Sequence, residues 1–317
     1  MSLSPVTFSD WTGTDCLRLA DYSPRKVETL IRKAEEMKLQ HQRGTRDFPL
    51  IGKTLAMIFE KPSTRTRVSF EAGMTQLGGS ALPLNRQELQ WGRGETAGDT
   101  ARVLSGYVDG ILIRTHRHTT VEQLAKHASI PVINGLTDLH HPCQALADLL
   151  TLKEVKGELT GLHVAYIGDG NNVLHSLMEA AAVTGIHLRA AFPPGYEPDP
   201  AVTEQAKELC TATGGSITFT GDPAEAAEKA DAVYTDVWAS MGQEEEKEKR
   251  VKNFAGFQVD KALMDRAKTD AVFLHCLPAY RGLEVSAEVI DGPQSVVFQQ
   301  AENRLHAQKA LLDLLLG

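Results

Sequence analysis

The stretch TLAMIFEKPSTRTRVSFEAGMTQLGG, residues 54–79, sets an apolar run against a polar loop and then a helical pattern. Residues 54–60 read as a strand, and a candidate helix at about 65–77 closes near Gly78-Gly79. Between them, Ser63 to Arg67 gathers three hydroxyls and two guanidiniums in five positions. Ser63 is a good N-cap. A helix N-terminus leaves backbone N–H groups unpaired and carries partial positive charge. With the hydroxyls of Ser63, Thr64 and Thr66 and the guanidinium of Arg65, that end makes a compact site for a phosphate. The same residues also fit an ordinary capped helix with surface arginines.

The strand–loop–helix pattern repeats along the chain. Further strands are expected at 80–84, 110–115 and 130–135, with helices at about 97–106 and 119–128. Thr119-Thr-Val-Glu122 has capping-box spacing for the last of these. After His141-Pro142, the leucines at 146, 149, 150 and 152 mark a long helix with Pro142 in its first turn. A turn is expected at 156–162 and the domain change near residue 150. The alternation then restarts, with strands at 163–168, 187–192, 216–221, 232–237 and 271–276. Helices are expected to begin near Val173, Pro200, Asp222 and Asp260, and a last one runs from about Glu302 to the end. Such alternation predicts an α/β chain of two domains, 1–150 and 151–301, each a parallel sheet flanked by helices. In open parallel sheets ligands bind beyond the carboxyl ends of the strands, so the loops after the strands carry the function.

Composition narrows the class. The 317 residues are 42% hydrophobic and 23% charged, ordinary for a globular chain. A net charge of −8 argues against nucleic acid as partner. No stretch reaches the roughly 18 apolar residues of a membrane span. MSLSPVTFSDW carries no apolar or Arg-rich targeting pattern, and Cys16, Cys143, Cys210 and Cys276 form no C-x-x-C pair. Reduced thiols and a cytoplasmic location are expected. The mixed charge run 244–250 reads as a solvated loop or helix.

Six other segments carry chemistry. Arg114-Thr-His-Arg-His118 ends a strand and places Arg114 to reach a ligand; His116 and His118 make a weak metal pattern and read as exposed loop histidines. In His140-His-Pro-Cys-Gln144, His141 and Gln144 share one turn and can offer donors to a carbonyl oxygen, although a plain histidine cap also fits. Gly168-Asp-Gly-Asn-Asn172 begins like a dinucleotide fingerprint, but Val173 stands where the third glycine belongs, so a polar substrate fits better than a nicotinamide. Asp236 ends a strand, suits an ammonium, and precedes Ser240-Met-Gly242. Adjacent strand residues face opposite ways, so His275 and Cys276 do not read as a nucleophile–base dyad. Glu302-Asn-Arg304 opens the last helix; Arg304 reads either as a second cation for the phosphate or as a surface arginine.

In this order, Ser63-Thr-Arg-Thr-Arg67, Arg114-Thr, His141-Pro-Cys-Gln144, Gly168–Asn172, Asp236…Ser240-Met-Gly242, His275-Cys-Leu-Pro278 and Glu302-Asn-Arg304 resemble the aspartate/ornithine carbamoyltransferase superfamily over nearly the whole chain. Within it they resemble the ornithine branch, which is marked by Ser-Met-Gly and His-Cys-Leu-Pro. Aspartate relatives have His-Pro-Leu-Pro-Arg and a lysine-bearing loop, whereas the loop 85–94 here has no lysine.

The resemblance implies transfer of the carbamoyl group from carbamoyl phosphate to the δ-amine of L-ornithine, giving L-citrulline and phosphate in arginine metabolism. A related amine, such as putrescine or N-acetylornithine, and a non-catalytic carbamoyltransferase-like subunit are the alternatives. By resemblance, Ser63, Thr64, Arg65, Thr66, Gln90, Arg114, His141, Gln144 and Arg304 hold carbamoyl phosphate, with the carbonyls of Cys276 and Leu277 receiving its NH2. Asn172, Asp236, Ser240 and Met241 hold ornithine; Arg114, His141, Asp236 and Cys276 are the catalytic set. It further implies that the last helix returns to a carbamoyl phosphate-binding first domain, that the second domain binds ornithine, and that the chain forms a homotrimer. No metal or organic cofactor is required.

Overall fold

The computed structural model describes residues 11, 13–239 and 246–317. They form two compact units: residues 1–150 with 302–317, and residues 151–301. No helix among the described residues is long and apolar enough to cross a membrane.

The first unit holds four parallel strands, β1 (Thr54–Phe59), β2 (Ser80–Asn85), β3 (Gly110–Arg114) and β4 (Val132–Leu136), in the order β2-β1-β3-β4. β3 is buried throughout and β1 nearly so, the pattern of inner strands covered on both faces. Ile58, Ile111, Ile113, Val121, Leu124 and Val132 pack together on one side of the sheet. At the β4 edge, Cys16 bridges in parallel to Ile133, exchanging N–H···O bonds of 2.9 and 2.8 Å with Val132 and Asn134. The chain leaves β1 toward β2 and then returns to the other side of β1 to form β3. The loops after β1 and β3 therefore diverge, and a crevice opens at their carboxyl ends.

Helices α1 (Pro24–Gln42), α2 (Thr64–Gln76), α3 (Ala97–Ser105), α4 (His118–His127) and α5 (Pro142–Lys156) connect these strands. Sequence reading missed α1. Its buried Val27, Leu30, Ile31, Ala34 and Lys38 fall at helical spacing, behind a Ser23 cap and Pro24. The capping box expected at Thr119 is not formed: α4 starts at His118, whose N–H donates to Asp138 Oδ1 at 3.0 Å. A carboxylate from a distant loop thus does what local spacing had assigned to Thr119.

The second unit holds β5 (His163–Ile167), β6 (His187–Ala191), β7 (Ser216–Thr220), β8 (Ala232–Thr235) and β9 (Val272–His275), all parallel, in the order β7-β6-β5-β8-β9. Here the crevice lies where β5 and β8 diverge. Helices α6 (Asn172–Thr184), α7 (Pro200–Thr213), α8 (Pro223–Ala227) and α10 (Lys261–Met264) are capped by Asn171, Asp199, Asp222 and Asp260. The described part of the charge run enters α9 (Lys247–Asn253), and Arg250 there is buried rather than solvated. Short α11 (Ala287–Ile290) precedes the last helix, α12 (Val297–Leu316), which begins five residues earlier than expected. Residues 302–317 of α12 belong to the first unit. There Lys38 Nζ donates to Asn303 Oδ1 at 2.7 Å, Lys33 pairs with Asp313 at 2.5 Å, and Lys309 donates to Gln76 at 3.1 Å.

Gly170 sits between β5 and α6, its N–H donating to Tyr196 O at 2.9 Å. A Cβ there would press on the backbone of Glu197 and Pro198, which cannot swing aside as a side chain can. Gly170→Ala is expected to destabilise the protein by about 1–3 kcal/mol, read as a lower urea midpoint; an unchanged midpoint would contradict this packing.

Candidate active site

In the first unit the polar side chains converge at the crevice between β1 and β3. Ser63 caps α2 as the sequence predicts: its backbone is extended, and its Oγ accepts from Thr66 N at 3.3 Å. Thr66, one turn in, is buried, and Gly135 opposite it lacks the Cβ that would come within 3.4 Å of Thr66 Cγ2. Thr64 and Arg65 are exposed at the helix mouth. Arg67 instead makes a surface pair with Glu71 at 3.4 Å. Arg114 ends β3 where the register with β4 slips, and its side chain is 5% exposed. Such irregularities re-aim side chains beside active sites.

Helix α5 supplies His141, just before its first residue, and Gln144, both buried. The Gln144 amide donates to Asp148 Oδ1 at 2.8 Å, which turns its oxygen to accept from Arg304 Nη1 at 2.9 Å. Arg304 Nη2 donates to Thr66 Oγ1 at 3.3 Å. Of the two readings of Arg304, the structure therefore takes the buried one, at 3% exposure. Burial pushes the His141 imidazole well below its ordinary value, and the positive charges of Arg304, Arg114 and Arg65 push it the same way. A histidine among three guanidiniums stays neutral and donates without adding charge. Burial also pushes the neighbouring Cys143 thiol up to about 11, which leaves it unreactive.

Gln90 lies on an exposed turn, Gln90–Arg93, and no hydrogen bond among the described residues joins it to this group. His116 is exposed, but His118 is buried, against expectation. Its Nδ1 lies 3.1 Å from Thr137 Oγ1, and its ring meets His140 edge-on at 4.8 Å.

In the second unit the loops after β5, β8 and β9 meet. Asp236 follows β8 and is buried; its Oδ2 accepts from Asn171 Nδ2 at 2.8 Å and its Oδ1 from Cys276 Sγ at 3.0 Å. Asn171, which sequence reading passed over in favour of Asn172, also caps α6 by accepting from Val173 and Leu174 N–H. Its place before a helix start was the available signal. Asn172 opens that helix, half-buried. Ser240 and Met241 lie outside the described residues.

Behind Asp236, Asp169 receives Arg250 Nη1 at 2.8 Å, and the same nitrogen donates to Trp238 O at 2.9 Å. His275 and Cys276 go to different partners. His275 Nδ1 accepts from Leu277 N at 2.9 Å, which leaves Nε2–H to face Glu284 Oε1 at 3.2 Å. Leu277 follows with φ +56°, holding the Cys276–Leu277 backbone in a sharp turn. Ligand-type atoms of Asp236, His275 and Cys276 lie within 4.8 Å of one another. Both imidazole nitrogens are already engaged, however, so the trio offers a cation no histidine lone pair. The first unit thus gathers hydrogen-bond donors and cations, and the second a buried aspartate held by two donors.

The depressed His141 pKa makes a stability statement. Below about pH 6.5 the unfolded chain binds a proton at His141 that the folded chain refuses, so stability falls as pH falls. Between about pH 7 and pH 5.5 the wild type is expected to lose more stability in chemical denaturation than His141→Gln. Equal pH slopes would contradict a neutral buried His141.

Comparison with known proteins finds relatives for both halves of the chain. Residues 14–154 match the family described as aspartate/ornithine carbamoyltransferase, carbamoyl-P binding domain, and residues 160–315 match its Asp/Orn binding domain. The chain is 63% identical to the ornithine carbamoyltransferase of Anoxybacillus flavithermus over 304 residues, covering 96% of this chain and 97% of that protein. It is 59% identical to the Bacillus subtilis ornithine carbamoyltransferase over 312 residues, covering 98% and 96%. The solved ornithine carbamoyltransferase from Pyrococcus furiosus superposes with a TM-score of 0.94 at 56% identity, covering 96% of this chain and 98% of that one. Matched in both halves and more than half identical to these relatives, the chain belongs to the aspartate/ornithine carbamoyltransferase family.

Proposed function

We propose that the protein transfers the carbamoyl group of carbamoyl phosphate to the δ-amine of L-ornithine, releasing L-citrulline and phosphate, with the first unit binding carbamoyl phosphate and the second ornithine. The observation that carries this reading is the neutral His141 set among Arg65, Arg114 and Arg304. Such a group suits an acyl phosphate, with a phosphate to hold and a carbonyl to polarise. Asp236, steadied by Asn171 and Cys276, suits the substrate amine. The ornithine carbamoyltransferases to which the chain is similar support the choice of amine.

In this mechanism the uncharged δ-nitrogen donates its lone pair to the carbamoyl carbon and a C–N bond forms. Arg114, His141 and Thr66 hold the oxyanion of the tetrahedral intermediate. The bond between the carbamoyl carbon and the bridging oxygen then breaks, and its electron pair leaves with that oxygen on the phosphate. Ser63, Thr64, Arg65 and the N-terminus of α2 stabilise that phosphate, aided by Arg304, which Gln144 orients. The amine proton passes to the departing phosphate or to solvent. The carbonyls of Cys276 and Leu277 receive the carbamoyl NH2. Asn172, Ser240 and Met241 complete the ornithine subsite, and Gln90 acts from the loop of a neighbouring copy in a homotrimer. The reaction belongs to arginine biosynthesis in the cytoplasm.

Citrulline formation is measured with ornithine, putrescine, N-acetylornithine or aspartate offered separately; turnover is expected with ornithine, and preference for another amine would overturn the reading. Loss of one donor to charge developing in the transition state, on the oxyanion or on the leaving phosphate, costs about 3–4 kcal/mol, so Arg65→Ala and Arg114→Ala are each expected to lower turnover by at least about a hundredfold. Near-normal kinetics in both would contradict the mechanism. An alkylamine titrates near pH 10.4, so the rate should climb as pH rises from about 6 to 9.

A further inference from the structure

Gln308 lies one turn beyond Arg304 on α12, a spacing that stacks two side chains on one helix face. It is fully buried. With its amide oxygen toward Arg304, that oxygen accepts from both Nε and Nη2 at 2.9 Å, while its nitrogen donates to Ser69 Oγ at 2.5 Å and to Arg304 O at 3.3 Å. Ser69 Oγ in turn donates to Arg65 O at 2.5 Å and lies 3.2 Å from Thr66 O. The opposite amide orientation would set the NH2 against the guanidinium, so the network admits one arrangement.

One line of donors runs in a single direction: guanidinium to amide, amide to hydroxyl, hydroxyl to the first-turn carbonyls of α2. Aligned hydrogen bonds polarise one another and hold a single geometry. We propose that Gln308 is a positioning residue for carbamoyl phosphate: it grips one edge of the Arg304 guanidinium while Gln144 takes Nη1, and through Ser69 it locks Arg304 to the α2 turn that bears Arg65 and Thr66. Because the amide is neutral, Arg304 keeps its full charge for the ligand; a carboxylate at this position would hold the guanidinium equally well and cancel that charge.

This inference rests on the reading of the first unit as the carbamoyl phosphate subsite. The test compares wild type, Gln308→Met, Ser69→Ala, Arg304→Ala and the Gln308→Met/Arg304→Ala double variant, taking kcat and KM for each substrate. Isothermal titration with inorganic phosphate supplies an affinity that does not depend on turnover. Gln308→Met is expected to raise the carbamoyl phosphate KM about tenfold and weaken phosphate similarly, with the ornithine KM within about twofold of wild type. In the Arg304→Ala background it should add less than about twofold, since its effect passes through that arginine. Ser69→Ala should move the same constants by about threefold, and it carries the test if Gln308→Met does not fold. Three results would overturn the proposal: unchanged carbamoyl phosphate and phosphate constants, an equal penalty in the Arg304→Ala background, or a loss shared evenly by both substrates. A wild type that forms no citrulline would refute the functional reading instead, and the phosphate titrations would still decide the role of Gln308.

Discussion

The Arg304 guanidinium, hydrogen-bonded to Gln144 and Thr66, joins residues 160 and 238 positions away in sequence. Taking a charged group out of water is costly unless its hydrogen bonds are met in good geometry. That requirement fixes several elements at once. Residues 302–317 must lie against α2 and α5 within the first unit, and the Gln144 oxygen must face inward, as its bond to Asp148 ensures. Thr66 must sit one turn inside the capped end of α2. Gln144, Thr66 and Gln308 meet the Arg304 guanidinium with neutral groups, so none of them cancels its charge.

His141 completes the chemical logic. A second cation type that switched on and off near neutral pH would make the charge of this cluster vary with small pH changes. Burial and the neighbouring arginines remove that variation by holding the imidazole neutral. In the second unit a buried side chain is again oriented by its neighbours: Asp236 takes one bond from Asn171 and one from Cys276. Both groups sit where a parallel sheet's strand order reverses, β1 against β3 and β5 against β8. Strand connectivity, more than any one motif, decides which loops can share a ligand.

What was legible in the sequence was local. Ser63, Asp199, Asp222 and Asp260 cap helices within three residues of themselves, and the apolar runs of parallel strands announce themselves without neighbours. What escaped depends on residues far along the chain. The helix expected to start with the Thr119 box starts at His118 because Asp138 arrives from the far side of β4. The last helix starts at Val297, before the motif that drew attention to Glu302. Gln308 carries no signature of its own, and the capping place of Asn171 says nothing of Asp236, 65 positions along the chain, which only folding brings near. For the candidate site, the residue types and loops could be read, while the bonds that orient them could not.

Isothermal titration of inorganic phosphate into the wild-type protein, alone and with saturating, freshly prepared carbamoyl phosphate, asks whether the crevice between β1 and β3 receives the phosphate of carbamoyl phosphate. One class of phosphate site is expected, weakened by added salt and abolished by carbamoyl phosphate. Phosphate binding that persists unchanged beside saturating carbamoyl phosphate, or no phosphate binding at all, would contradict it.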